Sequence, residues 1–194
     1  MLFRSYLAAG MVEDAKGRLS ALIDHLAPYA EKGIAIVGLE PSCLFTLRDE
    51  ALTMGLGQPA QVVSEHAFLL EEFLSQELQA KRFSLAFKES RQPILVHGHC
   101  HQKAFGAVSP TLELLKLIPN ANPQLIESSC CGMAGSFGYE VEHIEASKQM
   151  AELSLLPTIR NHPDALVVAD GTSCRHQIAD GAKRDAVHIT KALA

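Results

Sequence analysis

The chain has 194 residues, 47% of them hydrophobic and 20% charged, with a net charge of −5. That supplies one core or two small lobes. The acidic balance, the lack of Trp and only 6% aromatic residues exclude a nucleic-acid surface built on basic charge or base stacking.

No apolar run reaches the roughly 18 residues of a membrane-crossing helix, so no transmembrane segment is expected. Residues Met1 to Gly10 are too weakly apolar for a signal peptide, which points to a cytoplasmic protein. Apolar positions at Met11, Ala15, Leu19, Leu22, Ile23 and Leu26 predict a helix over about 11–30. Gly33 ends it, and Ile34 to Gly38 has the continuous apolar character of a buried strand. That strand delivers Cys43, followed by a helical pattern from Leu44 to Glu50.

His66 to Leu85 reads as one or two helices. Pro93 to Val96 is a second strand, leading into His97-Gly98-His99-Cys100-His101-Gln102-Lys103. Thr111 to Ile118 is helical, and Gln124 to Glu127 is a third strand that feeds Cys130-Cys131. A helix over Glu140 to Leu155, a loop from Asn161 to Asp164 and a fourth strand, Ala165 to Ala169, bring the chain to Cys174. Strands alternating with helices predict an α/β fold of mostly parallel sheets flanked by helices. Cysteines at the carboxyl ends of such strands stand where open α/β sheets place their ligands.

The centre of the pattern is Ser128-Ser129-Cys130-Cys131-Gly132-Met133-Ala134-Gly135-Ser136-Phe137-Gly138. Adjacent cysteines rarely bond each other without strain and suit a partner lying over both. Gly132 and Gly135 would let the backbone approach a cofactor and turn N–H groups toward it. A helix starting here would favour thiolates. Five cysteines, an odd number in a chain this long, do not suit a disulfide framework. Thiolates hold iron–sulfur clusters and structural zinc, and both stay open, as do buried inert thiols.

His97, His99 and His101 alternate around Cys100; on extended backbone they would share one side, as ligands, as outer support or as a polar loop. His176 invites the same readings. No complete dinucleotide-binding glycine fingerprint, phosphate-binding Gly-Lys-Ser/Thr loop or Ser nucleophile elbow is present.

One repeat is visible, with Ser42-Cys43 and Ser173-Cys174 each following an apolar run at an offset of 131 residues. The same offset counted back from Cys130-Cys131 runs off the front of the chain. The expectation is two pseudo-repeated lobes with the first truncated, residues 1–88 the remainder of one repeat and 89–194 a complete second one. That suggests a piece of a longer polypeptide.

Twenty-nine residues separate Cys100 from Cys130, and forty-two separate Cys131 from Cys174. This pattern resembles the cysteine-rich CCG domain found in the B subunit of heterodisulfide reductase, in glycolate oxidase iron–sulfur subunits and in the C subunit of anaerobic glycerol-3-phosphate dehydrogenase. Glu40-Pro41-Ser42-Cys43, the His97–Lys103 segment and Ser173-Cys174-Arg175-His176-Gln177 look most like the C-terminal region of FAD-linked oxidases that act on D-2-hydroxy acids.

The resemblance implies an iron–sulfur cluster, of 4Fe-4S type, held by Cys100, Cys130, Cys131 and Cys174, with Cys43 as the surviving ligand of a first site. It departs at Gln177, where the family has a fifth cysteine, at Thr46, and near Met1-Leu2-Phe3, where a first Cys-Cys-Gly is absent. A four-ligand centre, a zinc ion or an empty site follows from those departures. The implied function is an electron-transfer module of a 2-hydroxy-acid oxidoreductase of the D-lactate or glycolate kind. Its FAD would lie in a partner flavin domain or subunit, and partners could bring it to the inner membrane. The rival readings are a zinc-binding or metal-free docking domain and thiol–disulfide chemistry on a small substrate.

Overall fold

The runs Ile94-Leu95-Val96 and Val167-Val168-Ala169 are buried on both faces, at 3% exposure or less, because their strands sit in the middle of a parallel sheet. The computed structural model describes residues 3–84 and 86–194, so Met1 and Leu2, in the first Cys-Cys-Gly position, and Leu85, the end of one predicted helix, lie outside the described residues. The chain divides into two units between Phe73 and Leu74.

In the first unit, α1 (Phe3–Ala8) precedes α2 (Val12–Ala30), which buries Ala15, Leu19, Ile23 and Ala27 at a spacing of four. Strands β1 (Ile36–Gly38) and β2 (Ala67–Leu69) form a two-stranded parallel sheet. Between them lie α3 (Pro41–Arg48), α4 (Glu50–Thr53) and α5 (Gly57–Glu65). The carboxylate of Glu72, on α6 (Leu70–Gln79), takes both its oxygens to Arg48 at 2.8 and 2.9 Å and accepts from the Leu69 N–H at 2.9 Å. That fixes the end of β2 to α3.

The second unit holds β3 (Ile94–His97), α7 (Cys100–Ala104), α8 (Ser109–Lys116), β4 (Pro123–Leu125), α9 (Ile144–Glu152) and α10 (Leu155–Arg160). Then come β5 (Leu166–Ala169), α11 (Thr172–Ala182), β6 (Ala186–Val187) and α12 (Ile189–Ala192). All pairings are parallel, in the order β4-β3-β5-β6. Ile94, Val96 and Val168 face one core with Leu114, Leu115 and Ile189, while Leu95, Val167 and Ala169 face another with Leu155, Leu156, Ile159 and Ile178.

The α/β class with parallel sheets is therefore present. Differences are local. Ala67–Leu69 is a strand where the chain predicts helix, because it pairs with Ile36–Gly38. The helix expected to run to Leu155 breaks into α9 and α10 at Leu153-Ser154, where Ser154 leaves helical backbone and its hydroxyl bonds the Glu127 carbonyl. No helix begins at Cys130-Cys131; that stretch is a loop.

Candidate metal centre

Chain order reverses around β3: the chain passes from β3 outward to β4, then crosses back to β5 on the other side. The carboxyl ends of β3 and β5, paired through His97 and Ala169, are therefore a topological switch point, where such sheets bind ligands. Cys100 and Cys174 follow those two strands, and Cys130-Cys131 follow β4 beside them.

After β3 the backbone stays extended to His99 and turns helical at Cys100. His99 caps that helix: its Nδ1 accepts from the His101 N–H at 3.1 Å, and Gln102 Oε1 accepts from the His99 N–H at 2.8 Å. This is a capping box with imidazole in the usual hydroxyl position. The early helix start gives His101 helical backbone, so the shared side expected of the three histidines ends at His99.

Gln102 Nε2 also donates to Asp170 Oδ2 at 3.2 Å, and Asp170 Oδ1 accepts from the Ile189 N–H at 2.9 Å. Asp170, 3% exposed, thus ties the turn after β5 to the turn after β3 and to α12. Gly171 closes the join, since a Cβ there would stand 2.5 Å from His99 Cδ2 and 3.1 Å from Cys174 Sγ. The sequence shows these residues without their roles, because each acts across a long chain separation.

The double-cysteine loop is shaped by positive backbone angles at Gly132 (φ +91°) and Gly135 (φ +71°). Gly132 donates its N–H to Cys130 Sγ at 3.3 Å, and its α-carbon lies against α9, with a Cβ placed 2.1 Å from the Ser147 carbonyl oxygen. Close packing on α9 is what requires glycine at 132. Lys103 Nζ donates to the carbonyls of Ser128 and Ser129, holding the entry to the loop.

The structure brings four of the five cysteines together. Cys174 Sγ and Cys131 Sγ are hydrogen-bonded at 3.4 Å, and Cys130 shares side-chain hydrogen bonds with Cys100 and Cys131. The sulfurs thus form a continuous chain, Cys100–Cys130–Cys131–Cys174. Hydrogen bonding to Cys100 and Cys131 holds Cys130 far below the usual thiol range, and hydrogen bonding to Cys131 does the same for Cys174. The thiols of Cys100 and Cys131 are pushed up, first by hydrogen bonding to their cysteine neighbours and then by burial. Burial lowers Lys103, while the neighbouring thiolates oppose that shift. Cys174 also lies in the first turn of α11, whose positive end favours its thiolate.

His97 completes the group. It is 2% exposed, and one of its ring nitrogens and the sulfurs of Cys131 and Cys174 all lie within 4.8 Å of one another. Nδ1 bonds Ser128 Oγ at 3.0 Å. Among the described residues Nε2 has no hydrogen-bond partner of ordinary geometry, although the ring is near enough to Cys174 to favour its thiolate. A buried nitrogen without a partner beside converging thiolates is a donor set that fits a soft or borderline metal. A tetrahedral ion with metal–sulfur bonds of about 2.3 Å separates its sulfurs by about 3.8 Å, close to the Cys131–Cys174 spacing.

The other candidates lie elsewhere. Cys43 belongs to the first unit, the third residue of α3 as Cys174 is of α11; burial, then Glu40, pushes its thiol up. Thr46 is buried, and its hydroxyl donates to the Ser42 carbonyl at 2.9 Å. Gln177 turns to α9, its Nε2 donating to the Ser147 carbonyl and hydroxyl at 3.0 and 3.1 Å. His176 is exposed and bonds Tyr139 through Nδ1 at 2.7 Å.

No family model matches the chain, and no solved structure matches it significantly. Curated relatives do. The chain is 31% identical over 147 residues to the C subunit of the anaerobic glycerol-3-phosphate dehydrogenase of Escherichia coli, covering 76% of this chain and 36% of that protein. It is 30% identical over 160 residues to a D-2-hydroxyglutarate dehydrogenase of Haemophilus influenzae, covering 80% of this chain and 15% of that protein. The corresponding Escherichia coli dehydrogenase is 28% identical over 157 residues, with 15% of its length covered. The chain thus spans about a third of the first relative and about a seventh of the others. Among the described residues no helix is long and apolar enough to cross a membrane. The chain is homologous to part of the glycerol-3-phosphate dehydrogenase C subunit and of D-2-hydroxyglutarate dehydrogenases, consistent with a cysteine-rich CCG domain of FAD-linked oxidases.

Proposed function

We propose that the chain is the iron–sulfur electron-transfer module of a flavin-linked oxidoreductase acting on a 2-hydroxy acid. The observation that carries it is the convergence of Cys100, Cys130, Cys131 and Cys174 from three strand ends into one hydrogen-bonded sulfur chain. In this reading those four thiolates hold a cluster of 4Fe-4S type, which when bound takes up and passes on single electrons. The Gly132 N–H on Cys130 Sγ and the Lys103 ammonium beside the loop offset the negative charge of the thiolates and so tune the centre. Burial of Cys131, Cys174 and His97 keeps water from them.

The flavin and the substrate pocket would belong to another domain or subunit. Dehydrogenase relatives support the oxidoreductase class, and two of the three given above are named for a 2-hydroxy acid, D-2-hydroxyglutarate. The matching third-position cysteines of α3 and α11 support a first unit that is the remainder of an earlier repeat. Five free cysteines suit a reducing, cytoplasmic setting, with the membrane reached through partners.

A second reading, a zinc site that stabilises a docking domain, is favoured by the tight His97, Cys131 and Cys174 group, which suits one tetrahedral ion. Electron paramagnetic resonance on the full chain, purified without oxygen and then reduced, separates the two. A signal in one redox state supports the electron-transfer module; a silent protein carrying zinc selects the docking domain.

A further inference from the structure

We infer that His97 is itself a ligand, so that the centre is a mixed imidazole–thiolate site with Nε2 as its nitrogen donor. This deepens the reading that the converging thiols hold a metal. Period-two alternation along β3 puts His97 on the same side as Leu95, the side on which Cys131 and Cys174 are buried. The ring cannot swing away: it is 2% exposed, and Ser128 Oγ holds Nδ1 at 3.0 Å. Ser128 is held in turn by Lys103. That is the arrangement of a metal-bound imidazole, in which an outer hydrogen bond on one nitrogen fixes the ring and aims the other.

The aimed nitrogen, Nε2, is buried and has no hydrogen-bond partner of ordinary geometry among the described residues; the group the ring acts on is the Cys174 sulfur. A native core rarely leaves such an atom unmatched. One ring nitrogen of His97 and both sulfurs lie within 4.8 Å of one another, a spacing that one metal spans.

Of the neighbouring imidazoles, His176 is exposed and bonded to Tyr139, while His99 Nδ1 caps α7 and stands 3.9 Å from Cys100 Sγ. One turn beyond Cys174, Gln177 gives its amide to Ser147, so α11 contributes one donor only. Imidazole nitrogen and thiolate sulfur together suit borderline metals, the iron of a cluster or a divalent ion, and that is the class of guest this set takes.

The test uses the full chain, reduced, stripped of metal and loaded anaerobically with Zn²⁺ alone as the probe. X-ray absorption of the zinc-loaded wild type is expected to show sulfur together with an imidazole nitrogen in the first shell. His97→Ala is expected to weaken zinc binding by about a hundredfold, and His97→Cys to restore it with an all-sulfur shell. An all-sulfur shell in the wild type, no zinc binding by the wild type, or unchanged affinity in His97→Ala would each overturn the inference. If His97→Ala fails to fold, the wild-type spectrum decides alone.

Iron and acid-labile sulfide are measured separately on protein as purified. A nitrogen–sulfur zinc shell in a chain without iron–sulfur keeps His97 as a ligand and sinks the electron-transfer reading. An iron–sulfur protein whose zinc shell is all sulfur does the reverse.

Discussion

Gly132→Ala probes how closely the double-cysteine loop is seated on α9. The new side chain faces two separate costs. At φ +91° an L-residue carries strain of about 1–2 kcal/mol. Its Cβ would also stand 2.1 Å from the Ser147 carbonyl oxygen and 3.1 Å from Gln177 Nε2, so the loop or α9 must shift. Either shift breaks the buried bond from Gln177 to that carbonyl, 3.0 Å long, for about another 1–2 kcal/mol. The sum is about 3 kcal/mol, which for a chain of this length lowers Tm by about 6–12 °C. Gly106→Ala is the control, in the same unit, with φ +66° and nothing within 4 Å of its Cβ. It carries the backbone strain alone, about 1 kcal/mol and about 2–4 °C. Differential scanning calorimetry on both metal-free variants reads the difference. Equal shifts in the two proteins would refute the close approach of Gly132 to α9.

Other substitutions separate framework from ligands. Gln177→Ala should lower stability by about 2 kcal/mol, seen by urea unfolding, while bound metal per chain stays at the wild-type level. Cys174→Ser should do the opposite in kind, cutting retained metal to about a tenth or less by elemental analysis. Asp170→Ala leaves the Ile189 N–H and one Gln102 donor without their carboxylate, and should cost about 2–4 kcal/mol in the same unfolding assay. Thiol reactivity gives a pH test on the metal-free, reduced chain. Cys130 is held low and is already thiolate near neutrality, so its alkylation rate should stay flat from about pH 6 to about pH 8. Burial raises Cys43, so its rate should be slower and climb throughout that range. Mass spectrometry of the labelled peptides distinguishes them, and a rising rate at Cys130 would contradict the hydrogen-bonded sulfur chain.

The central strands were legible because double burial writes itself as unbroken apolar runs, as at Ile94-Leu95-Val96 and Leu166-Val167-Val168. Ala67–Leu69 and Ala186–Val187 were not, being two or three residues whose strand character comes only from pairing. The convergence of thiols was suggested by cysteines at strand ends, a local signal that the parallel order turns into proximity. What stayed hidden was everything decided by side-chain direction across the chain. Alternating histidines did not disclose that His99 would cap a helix while His97 faces the sulfurs. Gly132 looked like a cofactor-facing glycine, and the space it leaves is filled by the Ser147 backbone. The role of Asp170 depends on Gln102 and Ile189, 68 and 19 residues away.

The most direct measurement is the content of iron, acid-labile sulfide and zinc in the full chain purified without oxygen, beside a Cys130→Ser, Cys131→Ser double variant. Iron and sulfide together in the wild type, and neither in the variant, is the expected result. Wild-type protein with no iron and no sulfide would contradict an electron-transfer centre built on these cysteines.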